Sequence, residues 1–218
     1  MQMKRVNVKR WSGLLACLLL LTIPLNRVLA SEVGKIVFIG DSITAGYGLN
    51  PAAAYPALLQ EKIRALKLPF EVVNAGVSGD TTAGGLRRIN WVLRGNQPDI
   101  VVVALGGNDG LRGVPVEQTR GNLSKIIDRI RTHNPEVHIL LAGMRMPESM
   151  GIDYSERFFA SFAKVAKDKD VALLPFLLAG VGGQDDMNQD DQIHPNAAGQ
   201  QRIAETVWKH LQPWLSSN

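Results

Sequence analysis

Residues 35–48 read "KIVFIGDSITAGYG". The first five are largely apolar and β-branched, and they pass without a break into Gly, Asp, Ser and Thr. A short, nearly continuous apolar run reads as a strand buried on both faces, as in a parallel sheet between two layers of helices. The polar segment after it reads as the loop at the strand's carboxyl end. Ser42 in that loop has two readings. Its hydroxyl can satisfy orphan backbone groups at a turn, or it can be a nucleophile on the edge where the loops of a parallel sheet converge.

Four more runs of the same kind follow: "EVVNA" at 71–75, "DIVVVAL" at 99–105, "HILLA" at 138–142 and "VALLP" at 171–175. Segments of helical period lie between and after them, at Ala53 to Leu66, Thr81 to Leu93, Val116 to Thr132, Tyr154 to Lys169 and Asn196 to Leu211. In the third, Val116, Leu123, Ile126, Ile127 and Ile130 share a face; in the last, Ile203, Val207, Trp208 and Leu211 do. Strand alternating with helix five times predicts an α/β domain of three layers, α/β/α, with a doubly wound parallel five-stranded sheet. Functional groups in such sheets gather at the carboxyl edge. Glycine-rich loops follow the first three strands there: "GDSITAGYG", "GVSGDTTAGG" and "GGNDGLRG".

The first thirty residues have a different composition. A basic start (Lys4, Arg5, Lys9, Arg10), the apolar "LLACLLLLTIPL" at 14–25 and "RVLA" before Ser31 describe an export signal over 1–30. One domain is then expected over 31–218, periplasmic or secreted. The apolar run is shorter than the roughly 20 residues a bilayer span needs, so no stable membrane span is expected in the mature protein. An uncleaved anchor flanked by Arg27 is the alternative. Lipidation at Cys17 is disfavoured by the apolar residues that follow it. The segment holds five of the 24 Lys and Arg and no acid, leaving 19 bases against 20 acids. That balance gives no pull toward nucleic acid. The only cysteine lies in the same segment, so the domain must be held by its core and not by disulfides. About 188 residues suffice, since a domain of that size buries on the order of 70% of its unfolded surface. A monomer is expected.

A serine hydroxyl attacks well only when a base removes its proton, and the usual base is a histidine oriented by a carboxylate. Of the four histidines, His133 and His210 lie near the ends of amphipathic helices and His138 starts a strand. His194 lies instead in "DDQIHPN" at 190–196, with Pro195 suited to the first position of the final helix. Asp191, three residues before, is close enough to orient the imidazole, although Asp190 and Asp191 could equally face the dipole of that helix. Acyl transfer also needs donors for an oxyanion. Loop glycines such as Gly79 let a substrate approach a backbone N–H, and Asn108 adds a side-chain amide. Both are also ordinary turn residues.

Other sites are disfavoured by spacing. Thr44 stands where G-x-S-x-G needs its last glycine. There is no phosphate-binding G-x-x-x-x-G-K-[ST] and no strand-coupled G-x-G-x-x-G. The stretch from Asp186 lacks the glycine of a calcium loop at its sixth position and has Ala197 at its twelfth.

"GDSITAGYGL" at 40–49, "NAGVSGDTTAGGL" at 74–86, "GGNDGLRG" at 106–113 and "DDQIHPN" at 190–196 resemble, in order, the four motif blocks of the SGNH (GDSL) hydrolases. The blocks span essentially the whole domain, and their wording is similar to the periplasmic thioesterase I, lysophospholipase and arylesterase branch. The resemblance implies a flavodoxin-like fold, with Ser42 as nucleophile, His194 as general base and Asp191 as its partner. It implies an oxyanion hole made by the Ser42 and Gly79 backbone N–H groups and the Asn108 side chain. It also implies a small acyl ester or thioester as substrate, with no metal and no organic cofactor. Deacetylation of carbohydrate on the same fold, and an ester- or lipid-binding protein without turnover, stay open as alternatives. "LRGV" at 111–114 and "GMRMP" at 143–147 mix apolar residues with arginine near the expected site. They suggest an acyl chain with a polar or anionic end, which a solvated loop would explain nearly as well.

Overall fold

The structure is a computed structural model that describes residues 1–3 and 33–215. The chain divides into Met1–Ser31 and Glu32–Asn218. Every element below belongs to the second unit, and the expected signal lies outside the described residues apart from its first three. Five strands form one parallel sheet: β1 (Gly34–Gly40), β2 (Phe70–Gly76), β3 (Ile100–Ala104), β4 (His138–Ala142) and β5 (Ala172–Leu174), in the order β2-β1-β3-β4-β5. The helices are α1 (Ser42–Ala45), α2 (Tyr55–Ala65), α3 (Thr82–Asn96), α4 (Gly107–Leu111), α5 (Val116–His133), α6 (Ile152–Lys169) and α7 (Ala197–Leu215).

Burial explains why the strands read as unbroken apolar runs. Ile36 to Ile39 and Val101 to Val103 are fully buried whichever face they point to, because helices cover both faces. α5 packs between α3 and α6, and α2 packs against α7. Each fully buried Ile, Val or Leu contributes on the order of 1.5–3 kcal/mol. The β2-β1-β3 order means the chain leaves β1 toward one neighbour and returns to place β3 on the other side. The sheet therefore has its topological switch point at the carboxyl end of β1, where open α/β sheets bind ligands. Ser42 stands two residues beyond that end.

Some boundaries differ from the sequence reading. The helix expected from Ala53 starts at Tyr55, because Pro51–Ala53 form a separate 3₁₀ turn and Ala54 is extended. Pro195 does not open the last helix. Asn196 caps it instead, its Oδ1 accepting the Gly199 N–H at 3.0 Å, a role asparagine fills well. Pro195 precedes that cap and pairs antiparallel with Asn188. The helix also runs past Leu211 to Leu215, since buried Leu215 prolongs the apolar stripe. Helices α1 and α4 lie inside segments read as loops, because one turn is too short to show a period.

Candidate active site

Gly40, the last residue of β1, is required by packing. A Cβ there would collide with the Thr44 hydroxyl. The chain then turns at Asp41, whose Oδ1 accepts the Ile43 N–H at 3.0 Å and caps α1. Three elements hold this single turn from below. Asn74 of β2 donates to the Thr44 carbonyl at 2.8 Å, and the Thr44 and Tyr55 hydroxyls bond at 2.9 Å. Gln200 of α7 donates to the Ile43 carbonyl at 3.0 Å while accepting the Tyr55 N–H at 2.8 Å. Ser42 is thus presented on a backbone with little freedom, at 8% exposure.

The segment before α7 brings the other two groups to it. His194 Nε2 is 2.9 Å from Ser42 Oγ, and His194 Nδ1 is 2.6 Å from Asp191 Oδ2. The other Asp191 oxygen accepts the backbone N–H groups of Ile193 and His194, both at 2.9 Å. The backbone N–H of His194, its ring N–H and the Ile193 N–H together hold the Asp191 carboxyl down at about 2. An ionised Asp191 can only accept, so Nδ1 carries the proton and Nε2 faces the serine hydroxyl with its lone pair. The Tyr47 ring lies against the imidazole, with centroids 4.6 Å apart and planes tilted by 41°. Gln189 ties the two loops, donating through Nε2 to the Tyr47 carbonyl at 2.8 Å and the Pro195 carbonyl at 3.1 Å.

The same turn contains a backbone cost. Gln192 is exposed and has φ 59°, a region that side chains with a Cβ disfavour. Gln192→Gly is expected to stabilise the fold by about 1 kcal/mol while leaving ester turnover within twofold. A denaturant midpoint unchanged or lowered would show that the side chain has contacts offsetting the strain.

Gly79 and Asn108 lie on the two neighbouring loops. Asp80 N–H donates to the Val77 carbonyl at 3.0 Å and Gly79 has φ 78°, which makes Val77–Asp80 a turn with glycine in the left-handed position. Val77 N–H anchors the turn to the Gly40 carbonyl at 3.0 Å. Asn108 Nδ2 donates to the Asp80 carbonyl at 3.0 Å, which leaves its second amide hydrogen available. Neither the Gly79 N–H nor the Ser42 N–H has an acceptor among the described residues.

Three charged side chains next to the site escaped the sequence reading. Asp41 is buried, and burial pushes its carboxyl up to about 6, against the pull of the Ile43 N–H and of His194. Asp80 pairs with Arg88 at 2.7 Å, and Arg88 also donates to the Gly40 carbonyl at 3.1 Å. The "GMRMP" segment corrects its expectation in part. Met144 and Met146 are buried in the core, and the Arg145 guanidinium lies over Phe159, 4.4 Å from the ring centroid. Leu111 and Arg112 of "LRGV" are exposed. Among the described residues, no group of three or more His, Cys, Asp or Glu could hold a metal, and no helix is long and apolar enough to cross a membrane.

The sheet is all-parallel in this order, and Ser42, His194 and Asp191 are joined by hydrogen bonds at its carboxyl edge. The family model described as GDSL-like lipase/acylhydrolase matches residues 38–202, and the chain belongs to that family. It is 42% identical over 96% of its length to the thioesterase 1/protease 1/lysophospholipase L1 of Escherichia coli K12, covering 96% of that protein. It is 42% identical over 83% of its length to the esterase TesA of Pseudomonas aeruginosa, covering 89% of it. The crystal structure of a psychrotrophic esterase, EstA from Pseudoalteromonas, inhibited by monoethylphosphonate, superposes with a TM-score of 0.79 at 32% identity, over 84% of this chain and 100% of that one. This protein is an ester-cleaving hydrolase.

Proposed function

We propose that the protein is an exported serine hydrolase that cleaves acyl esters or thioesters through an acyl-enzyme on Ser42. The observation that carries this reading is the line of bonds from Asp191 through His194 to the Ser42 hydroxyl, at 2.6 and 2.9 Å. Ser42 Oγ attacks the acyl carbonyl as its proton moves to His194 Nε2. The carbonyl oxygen takes up negative charge, which the Ser42 and Gly79 N–H groups and the free Asn108 amide hydrogen stabilise. His194 then gives its proton to the leaving alcohol or thiol, and the carbonyl re-forms as the acyl-enzyme. Water repeats the sequence, losing a proton to His194, and releases the acid and the free serine. Every step uses groups of this chain.

The N-terminal composition supports the export half of the reading: residues 1–30 act as the signal, and 31–218 as a single hydrolase domain in the periplasm or medium. The phosphonate-inhibited esterase of the same fold points to the test. A fluorophosphonate probe is expected to label the wild-type protein and not Ser42→Ala. Labelling of the variant at the wild-type rate would remove Ser42 from the mechanism. Turnover of p-nitrophenyl esters of rising chain length beside an acetylated sugar separates acyl-ester cleavage from deacetylation.

A further inference from the structure

One donor of the oxyanion site is the Gly79 N–H, which stands on a turn. It belongs to the Ser78–Gly79 peptide, the middle unit of the Val77–Asp80 turn. A donor acts on the developing charge only when it is held in place before the charge forms, so what fixes the turn matters.

Two side chains of one helical turn grip the units that follow this peptide. Arg112 Nη2 donates to the Gly79 carbonyl at 3.1 Å, and Asn108 Nδ2 donates to the Asp80 carbonyl at 3.0 Å. Asn108 and Arg112 are four residues apart on α4 and its C-cap, so they share a helix face and reach consecutive carbonyls. Below them, buried Asp109 accepts the Thr82 N–H at 2.8 Å and the Thr82 hydroxyl at 2.5 Å, which locks α4 to the start of α3. A Cβ on Gly79 would have Arg112 Nη2 as its nearest neighbour, at 3.9 Å, with nothing else beyond its chain neighbours within 4 Å among the described residues.

We propose that Arg112 is a positioning residue for the oxyanion site. Its bond to the Gly79 carbonyl ties the turn to the helical turn that carries Asn108, so that the Gly79 N–H and the Asn108 amide are held in one arrangement. The role rests on the hydrolase reading above. It assigns Arg112 to the transition state and not to substrate binding, since the oxyanion exists only after attack. Loss of the bond therefore lowers kcat and leaves KM nearly unchanged.

The test compares wild type, Arg112→Ala, Arg112→Lys and Ser42→Ala on a short p-nitrophenyl ester, with the rate of inactivation by a p-nitrophenyl phosphonate measured in parallel. Arg112→Ala is expected to lower kcat about 10-fold, with KM within twofold and phosphonylation slowed to match. Arg112→Lys, which can still donate one bond to the Gly79 carbonyl, is expected to recover most of the loss. Arg112 is exposed, so the thermal midpoint of the alanine variant should stay near that of wild type. An unchanged kcat overturns the role, and so does a raised KM at constant kcat, which would make Arg112 a binding residue. A lowered midpoint with kcat preserved overturns it as well. Wild-type protein without Ser42-dependent turnover overturns the hydrolase reading itself, whereas normal wild-type turnover with a fully active Arg112→Ala overturns only the inference about Arg112.

Discussion

His194→Ala is expected to lower kcat for acyl-ester hydrolysis by roughly 10⁴-fold or more, with the folded protein retained. The imidazole is the group placed 2.9 Å from the Ser42 hydroxyl, and without it the alcohol must attack while still holding its proton. What remains is the contribution of the oxyanion donors and of substrate binding. Asp191→Asn is expected to cost about as much for a different reason. An amide N–H facing Nδ1 would favour the tautomer with Nε2 protonated, so the lone pair would no longer face the serine. Stopped-flow and steady-state rates on a p-nitrophenyl ester measure both effects. A His194→Ala variant that keeps more than a few per cent of the wild-type rate would mean another base serves Ser42.

The pH profile separates the carboxylates in the site. Asp191, held at about 2, stays ionised throughout the range in which the protein is folded and assayed, so its own protonation does not shape the acid limb. Asp41, raised to about 6 by burial, is the carboxylate that takes up a proton within that range. The log kcat/KM profiles of wild type and Asp41→Asn are expected to coincide below about pH 5 and to part above about pH 6, and superposition over the whole range would mean that the charge has no part in the rate.

The parts of the fold that could be read from residues are those whose signal is periodic or continuous. Ile36 to Ile39 of β1 and all of β3 are buried on both faces, so no polar residue interrupts those runs, and five such runs with helices between them leave few other folds. α1 and α4 could not be read this way. Each is a single turn, and α1 is held by Asn74, Tyr55 and Gln200, the last of them about 160 positions away along the chain. The site divides along the same line. Ser42, Asp191 and His194 carry reactive side chains at a spacing with chemical meaning. Arg88, Gln189 and Arg112 act on the backbone of other loops, and a bond to a distant carbonyl leaves no local pattern. Asp41 had one available signal, an acid followed two residues later by an apolar helix start, but the same signal describes any N-cap. Pro195 misled because its residue type suits the first turn of a helix, and the asparagine after it is the better cap.

Asp41→Asn is expected to stabilise the fold by up to about 3 kcal/mol at pH 7 to 8, and by nothing near pH 4. A carboxyl whose folded pKa is raised, from 3.8 to about 6, binds its proton more tightly in the folded state than in the unfolded one. Stability therefore falls as pH rises from about 4 to about 6, and the whole penalty is present above that. About two pH units at 1.36 kcal/mol each give the upper bound. Asparagine keeps an oxygen to accept the Ile43 N–H, so the cap on α1 survives while the buried charge is removed. The shape of the difference is the informative part. Chemical denaturation of both proteins from pH 4 to pH 8 should give curves that coincide at the acid end and diverge through pH 5 and 6. They should run parallel above about pH 7. A constant offset across the whole range would mean that Asp41 ionises as readily in the folded chain as in the unfolded one, so that its burial carries no charge penalty. Divergence with full activity retained would mean the charge does nothing for catalysis. Divergence with a lower kcat/KM would mean the fold tolerates a costly buried carboxylate beside its nucleophile because the negative charge favours the imidazolium that forms as Ser42 attacks.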